Sequence, residues 1–230
     1  MSAPLSTEYG TERPQGTRAV TDQVDMQGAR RRIAPRGIVD LRGRSDQDIE
    51  LSYPSHAAVI VAGLPGSGKS TLLRAWSPAA TVVDPRATRT AYEAWMPVWL
   101  PYAVYRPWAR LRHMQWTRSE IRRGRPLLIH DCGGRAWMRR WLAHTARRAG
   151  RPLHMVVLDV GPQEALSGQH ARRRLASRRA FETHRRGLAE LLSHIEDDGL
   201  TARTGIRSLV LLDRGLRDRV TSVRFGLPQD

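Results

Sequence analysis

Lysine is almost missing from this 230-residue chain: of 38 Lys and Arg residues only Lys69 is a lysine. Cysteine is equally scarce. Cys132 stands alone, so no internal disulfide can form, and a reducing compartment is expected. No apolar run is long enough to cross a bilayer, and the polar opening MSAPLSTEYGTERP lacks the basic and apolar regions of a signal peptide. These absences predict a soluble, cytoplasmic protein without a membrane partner. Acidic residues number only 22, leaving a formal net charge of +16 and a pI near 11.5. Such a balance raises nucleic acid as a partner. The arginines are nevertheless dispersed, at 30–32, 122–125, 139–140, 147–151 and 172–179, and no nucleic-acid-binding module pattern accompanies them. Nucleic acid is therefore possible but not favoured.

The one lysine lies in Gly63-Leu64-Pro65-Gly66-Ser67-Gly68-Lys69-Ser70-Thr71, which fits G-x-x-x-x-G-K-[ST] without a mismatch. A compact ammonium can reach between β- and γ-phosphates, where a flat guanidinium fits badly. The preceding run His56–Ala62 is apolar and β-branched, as a buried strand should be. Glycines then let successive N–H groups turn inward on an anion. Ser70–Trp76 reads as a helix whose positive end faces the phosphates. Residues Gly63 to Thr71 are thus expected to bind a nucleoside triphosphate, with Lys69 on its phosphates and Ser70 on Mg²⁺. The same scarcity of lysine excludes two classes. A guanine-specific N-K-x-D element cannot exist here, and a protein kinase needs its lysine on a strand.

One domain over residues 31–230 is expected, after a polar and aperiodic tail at 1–30 that reads as disordered. Within the domain, Ile38–Leu41 and Ile49–Tyr53 suggest an edge hairpin in an extension at 31–54. Strand patterns follow the phosphate loop at Thr81–Asp84, Pro126–Asp131, Leu153–Asp159 and Ser208–Asp213, with helical patterns between them. This alternation predicts a three-layer α/β fold around a five-stranded, mainly parallel sheet. Residues 134–149 read as a helix with Trp137, Met138, Trp141 and Leu142 on one face and an arginine-coated exterior. The insertion at 85–125 holds seven of the 14 aromatic residues, from Tyr92 to Trp116, and serves either as core filling or as an acceptor pocket.

Ligands of open α/β sheets bind beyond the carboxyl ends of the strands, where Asp84, Asp131, Asp159 and Asp213 fall. Asp84 can take a hydroxyl proton opposite the γ-phosphate, or cap the helix after it. Asp131, after four mostly apolar residues, is a candidate for the metal. Asp159 and Asp213 read as structural. The segment 167–186 carries seven arginines between the fourth and fifth strands, the place of a mobile lid. Of these, Arg172, Arg174 and Arg178 are candidates to contact ATP. Leu166-Ser-Gly-Gln169 approaches the LSGGQ signature of transporter ATPases but lacks one glycine.

The order GLPGSGKST, Asp84, Asp131 and the QHARRR segment resembles the P-loop kinase group. Within it, the chain is most similar to the polynucleotide-kinase, zeta-toxin and chloramphenicol-phosphotransferase branch, often labelled AAA-type ATP-binding proteins. The resemblance covers about residues 55–215. It implies strand order 2-3-1-4-5, ATP and Mg²⁺ as cofactors, Asp84 as general base, and lid arginines near 172–178. Asp84 is followed by Arg86 and Arg89, whereas relatives often carry Asp-x-x-Arg. The leading expectation is an Mg²⁺-ATP-dependent kinase acting on an unknown hydroxyl acceptor. The alternative is a regulatory or nucleic-acid-associated ATPase.

Overall fold

A computed structural model describes residues 20–24, 30–44, 48–131, 134–171, 177–198, 204–220 and 222–227. The ten strands are β1 (Val20–Val24), β2 (Arg30–Pro35), β3 (Gly37–Asp40), β4 (Asp48–Pro54), β5 (Ala58–Gly63), β6 (Thr81–Val83), β7 (Leu127–His130), β8 (Leu153–Leu158), β9 (Ser208–Leu212) and β10 (Ser222–Leu227). The helices are α1 (Lys69–Trp76), α2 (Pro85–Trp95), α3 (Tyr102–Arg122), α4 (Ala136–Arg148), α5 (Pro162–Ala171), α6 (Arg178–Asp198) and α7 (Arg214–Arg217). None of the described helices is long and apolar enough to cross a membrane.

The main sheet has six parallel strands in the order β3-β9-β8-β5-β7-β6. Counted from the strand before the phosphate loop, the inner five follow 2-3-1-4-5. The sixth, β3, is an addition at the far edge. Its buried strands are apolar on both faces, as helix-covered parallel strands must be. Along β5, Ala58, Ile60 and Ala62 face one core with residues of α3 to α6, while Val59 and Val61 face the other. The same alternation runs through β8 and β9.

The second core is closed differently from the expected layer of helices. There α1 is joined by a four-stranded sheet, β1-β2-β4-β10, in which only the β1–β2 pair is antiparallel. The hairpin anticipated at 31–54 does not form. Ile38 and Val39 join the main sheet beside β9, whereas β4 lies between β2 and β10 in the second sheet. Two apolar runs so close in sequence read as a hairpin, but each pairs in parallel with other strands instead. Glu50 ties the second sheet across its strands, accepting from Arg32 Nε at 2.8 Å, Arg224 Nε at 3.1 Å and Ser222 Oγ at 3.2 Å. The tail expectation for 1–30 falls mostly outside the described residues, except that Val20–Val24 forms a strand.

Dispersed arginines are not all solvated. Arg151 is buried and spends every donor of its guanidinium on main-chain carbonyls. Nε reaches His56 at 2.6 Å, and the two terminal nitrogens reach Glu120 and Ile121 at 3.1 and 2.8 Å, and Ala57 and Arg125 at 2.9 and 2.5 Å. It thereby satisfies carbonyls at the end of α3 and complements the negative end of that helix dipole, while holding the start of β5. Arg139, expected on the exterior of α4, is likewise 9% exposed, whereas Trp137 from the expected apolar face is 47% exposed. A lysine carries three donors on one atom and cannot reproduce the five-bond fork of Arg151. Arg151→Lys should therefore lower the unfolding free energy by about 2–4 kcal/mol in a urea titration, leaving several carbonyls unpaired.

Candidate active site

The phosphate loop follows β5 and ends as α1 begins, with Gly68 as the capping residue at φ 103°. Lys69 is buried, and its Nζ donates to the carbonyls of Gly63 and Leu64 at 2.8 Å each. This curls the loop around its own ammonium. Ser67 Oγ is buried at the centre of the loop without a hydrogen-bond partner. Together with the N–H groups that the first turn of any α-helix leaves unpaired, this makes a concave donor set suited to an anion.

Glycine is required at Gly66 on two grounds. Its φ is 95°, and a Cβ there would lie 2.0 Å from the carbonyl oxygen of Ala165 on α5. Facing it, a Cβ on Gly168 would meet the Gly66 carbonyl at 2.5 Å. One residue on, Gln169 donates Nε2 to the Pro65 carbonyl at 3.0 Å. The Leu166–Gln169 run that approximates a transporter signature thus packs α5 onto the phosphate loop. On the other flank, Arg217 of α7 lies against Gly68 while paired with Asp218 at 2.7 Å.

Asp84 ends the strand next to β7 and serves two purposes at once. Its Oδ1 accepts from the Arg86 amide at 2.9 Å, capping α2, and lies 3.0 Å from His130 Nδ1. Burial pushes this carboxyl up, but the His130 ring, the Arg86 amide and the Arg86 charge outweigh burial and hold it below its ordinary range. The parallel register that sets Val83 beside Ile129 makes Asp84 and His130 neighbours.

A cavity of about 430 Å³ opens from the loop over these strand ends. Lys69, Ser70, Asp84 and Asp131 all line it, so four of the expected site residues meet in one space. Ser70 and Asp131 fit Mg²⁺, which takes few protein oxygens and relies on phosphates and water for the rest. No cluster of three or more His, Cys, Asp or Glu side chains suited to a metal occurs among the described residues. Asp159 and Asp213 are occupied structurally. Asp159 accepts from Arg42 at 2.5 Å, and Asp213 caps α7 through the Leu216 amide at 2.8 Å and takes the Gly43 amide at 2.7 Å.

The lid candidates divide. Arg172 and Arg174 lie outside the described residues; Arg178 is exposed at the start of α6 and does not line the cavity. The aromatic segment is split by Pro97 and Pro101 into α2 and α3, so Tyr92 to Tyr102 do not share one helical face. Tyr92 stacks on Tyr105 at 6.3 Å, and Tyr102 meets Tyr105 edge-on at 5.2 Å. Tyr102 alone of the seven lines the cavity, whereas Trp95 and Trp99 are each 79% exposed.

Several cavity residues carry no sequence motif: Arg110 and His113 on α3, Arg135 before α4, and His184 on α6. His130 had a signal, since it precedes Asp131 at the end of a strand. The others come from helices whose contact faces only packing reveals. Burial lowers the pKa of His113, and burial with the nearby Arg135 and Lys69 charges lowers that of His184, despite opposing carboxylates.

The sequence matches the family described as the AAA domain over residues 59–197. Among curated proteins none matches this chain. Among solved structures, the chain is similar to one from the PezAT chromosomal toxin-antitoxin system of Streptococcus pneumoniae. That likeness has a TM-score of 0.58 and 15% identity, over 77% of this chain and 72% of the other. It is also similar to a protein of Chloroflexus aurantiacus described as a kinase, with a TM-score of 0.50 and 13% identity, over 72% of this chain and 88% of that one. At such identities these likenesses establish the P-loop α/β fold. Gly66→Ala should cost about 3 kcal/mol and lower Tm by about 6–12 °C in a thermal melt, because α5 must move off the loop.

Proposed function

This chain belongs to the AAA domain family, and we propose that it is an Mg²⁺-ATP-dependent phosphotransferase acting on a hydroxyl acceptor. The observation that carries this reading is the meeting of Lys69, Ser70 and Asp84 in one cavity, with Asp84 held ionised beside His130. The same carboxylate can activate water, so the identity of the product separates transfer from hydrolysis.

Lys69 and the loop amides hold the triphosphate, and Ser70 and Asp131 hold Mg²⁺. The metal, when bound, neutralises charge on the phosphate oxygens. Asp84 Oδ1 is engaged with the Arg86 amide and His130, while no protein group bonds Oδ2 among the described residues. Oδ2 accepts the acceptor's hydroxyl proton as that oxygen bonds to the γ-phosphorus. The bond from the γ-phosphorus to the β–γ bridging oxygen breaks, and ADP leaves with its electron pair. His130 is a positioning residue: it fixes the Asp84 carboxylate and keeps it unprotonated.

Incubation with γ-labelled ATP, Mg²⁺ and a panel of hydroxyl compounds tests this reading. Asp84→Asn should retain nucleotide binding and lose about 10²–10⁴-fold in transfer, whereas Lys69→Ala should lose both. Full transfer by Asp84→Asn would overturn the assignment. Polymer-stimulated ATP hydrolysis without a phosphorylated product would favour the regulatory ATPase instead.

A pH profile checks the role of His130. Because Asp84 is depressed, it works as a base down to acidic pH and is lost only as pH falls through its folded value. His130→Gln removes a group that depresses it, so the acid limb of kcat/KM should move to higher pH. An unchanged limb would restrict His130 to packing.

A further inference from the structure

We infer that the acceptor carries an oxyanion, a carboxylate or a phosphate, in addition to its reacting hydroxyl, and that Arg110 and Arg135 bind it. This rests on the phosphotransferase reading and names the substrate class for the same cavity. The part of the cavity remote from the loop is a cleft between two helices. Tyr102, Arg110, His113 and Thr117 occupy one face of α3, and Arg135, Met138 and Trp141 come from the start of α4. Its wall is therefore apolar, with guanidinium groups on both sides.

No carboxylate among the described residues pairs with Arg110 or Arg135; several exposed arginines elsewhere are likewise without one, and what sets these two apart is their shared place in the cavity. Burial, together with the neighbouring Arg135 and Arg106 charges, lowers the pKa of Arg110, and only Tyr102 opposes this. Two like charges on the walls of one cavity repel each other until an anion sits between them. The carboxylates in the cavity, Asp84 and Asp131, are committed to the base and to the metal. Arg86, also a lining residue, adds a further cation, so the cleft is positive even with both carboxylates ionised. A guanidinium fork suits the flat or tetrahedral oxygens of carboxylate and phosphate. Met138 and Trp141, which line the same cavity, offer apolar surface to a carbon skeleton.

Equilibrium titration of the full chain, first saturated with Mg²⁺ and AMPPNP so that the phosphate loop is filled, tests the inference. The probes are glycerol, glycerate and glycerol 3-phosphate, which share hydroxyls and carry no anionic group, a carboxylate and a phosphate respectively. At least one anion should bind about tenfold or more tightly than glycerol. The glycerate and glycerol 3-phosphate arms tell carboxylate from phosphate. The ratio should fall to near one in R110Q/R135Q and return in large part in R110K/R135K, which keeps the charge and controls for misfolding. Equal binding of charged and neutral probes, no binding of either anion, or an unchanged ratio in R110Q/R135Q would overturn the inference. Failure of AMPPNP to bind in the first step would remove the nucleotide reading itself, and this one with it.

Discussion

The contact of main chain with main chain at Gly66 constrains everything around the site. The Gly66 backbone comes so near Ala165 and Gly168 that no side chain fits at either glycine. That approach fixes α5 over the phosphate loop, and Gln169 then anchors to Pro65. The loop is thus clamped from above by α5 and flanked at Gly68 by Arg217. A loop held on two sides keeps its donors aimed before any ligand arrives, which is what electrostatic stabilisation of a triphosphate requires.

Arginine does two different kinds of work in this protein. In Arg151 all five donors bind carbonyls, and the residue acts as a splint joining β5, the end of α3 and the segment before β7. In Arg110 and Arg135 the guanidinium groups line a cavity, with no carboxylate partner among the described residues. Composition treats these identically, and a net charge of +16 reads as general basicity. Only the location of each partner separates a structural arginine from one that waits for a ligand.

The site's chemistry follows from parallel pairing. Because β6 and β7 run side by side in register, their ends deliver Asp84 and His130 to the same point. In the proposed reaction a capping aspartate and a proton-accepting aspartate are then one residue. The cap engages one oxygen and leaves the other for chemistry, so the two readings of Asp84 do not compete.

The strand of β5, the phosphate loop and α1 were legible because each depends on local pattern: apolar runs of strand length, glycine spacing and one lysine; the order 2-3-1-4-5 was implied by the resemblance to P-loop kinases. Asp84 and Asp131, which follow strands directly, were legible too. The second sheet was not legible, because β10 comes from the far end of the chain and β4 pairs with it and, in parallel, with β2 rather than with the nearer β3. Nor were His113, Arg135 and His184, which sit on separate elements and share no spacing. What the sequence by itself determined is the triphosphate cradle, since its geometry is local and needs residues adjacent in the chain. What the tertiary structure alone decided is the opposite wall of the cavity, since packing of α3 and α4 brings together charges that no sequence interval relates.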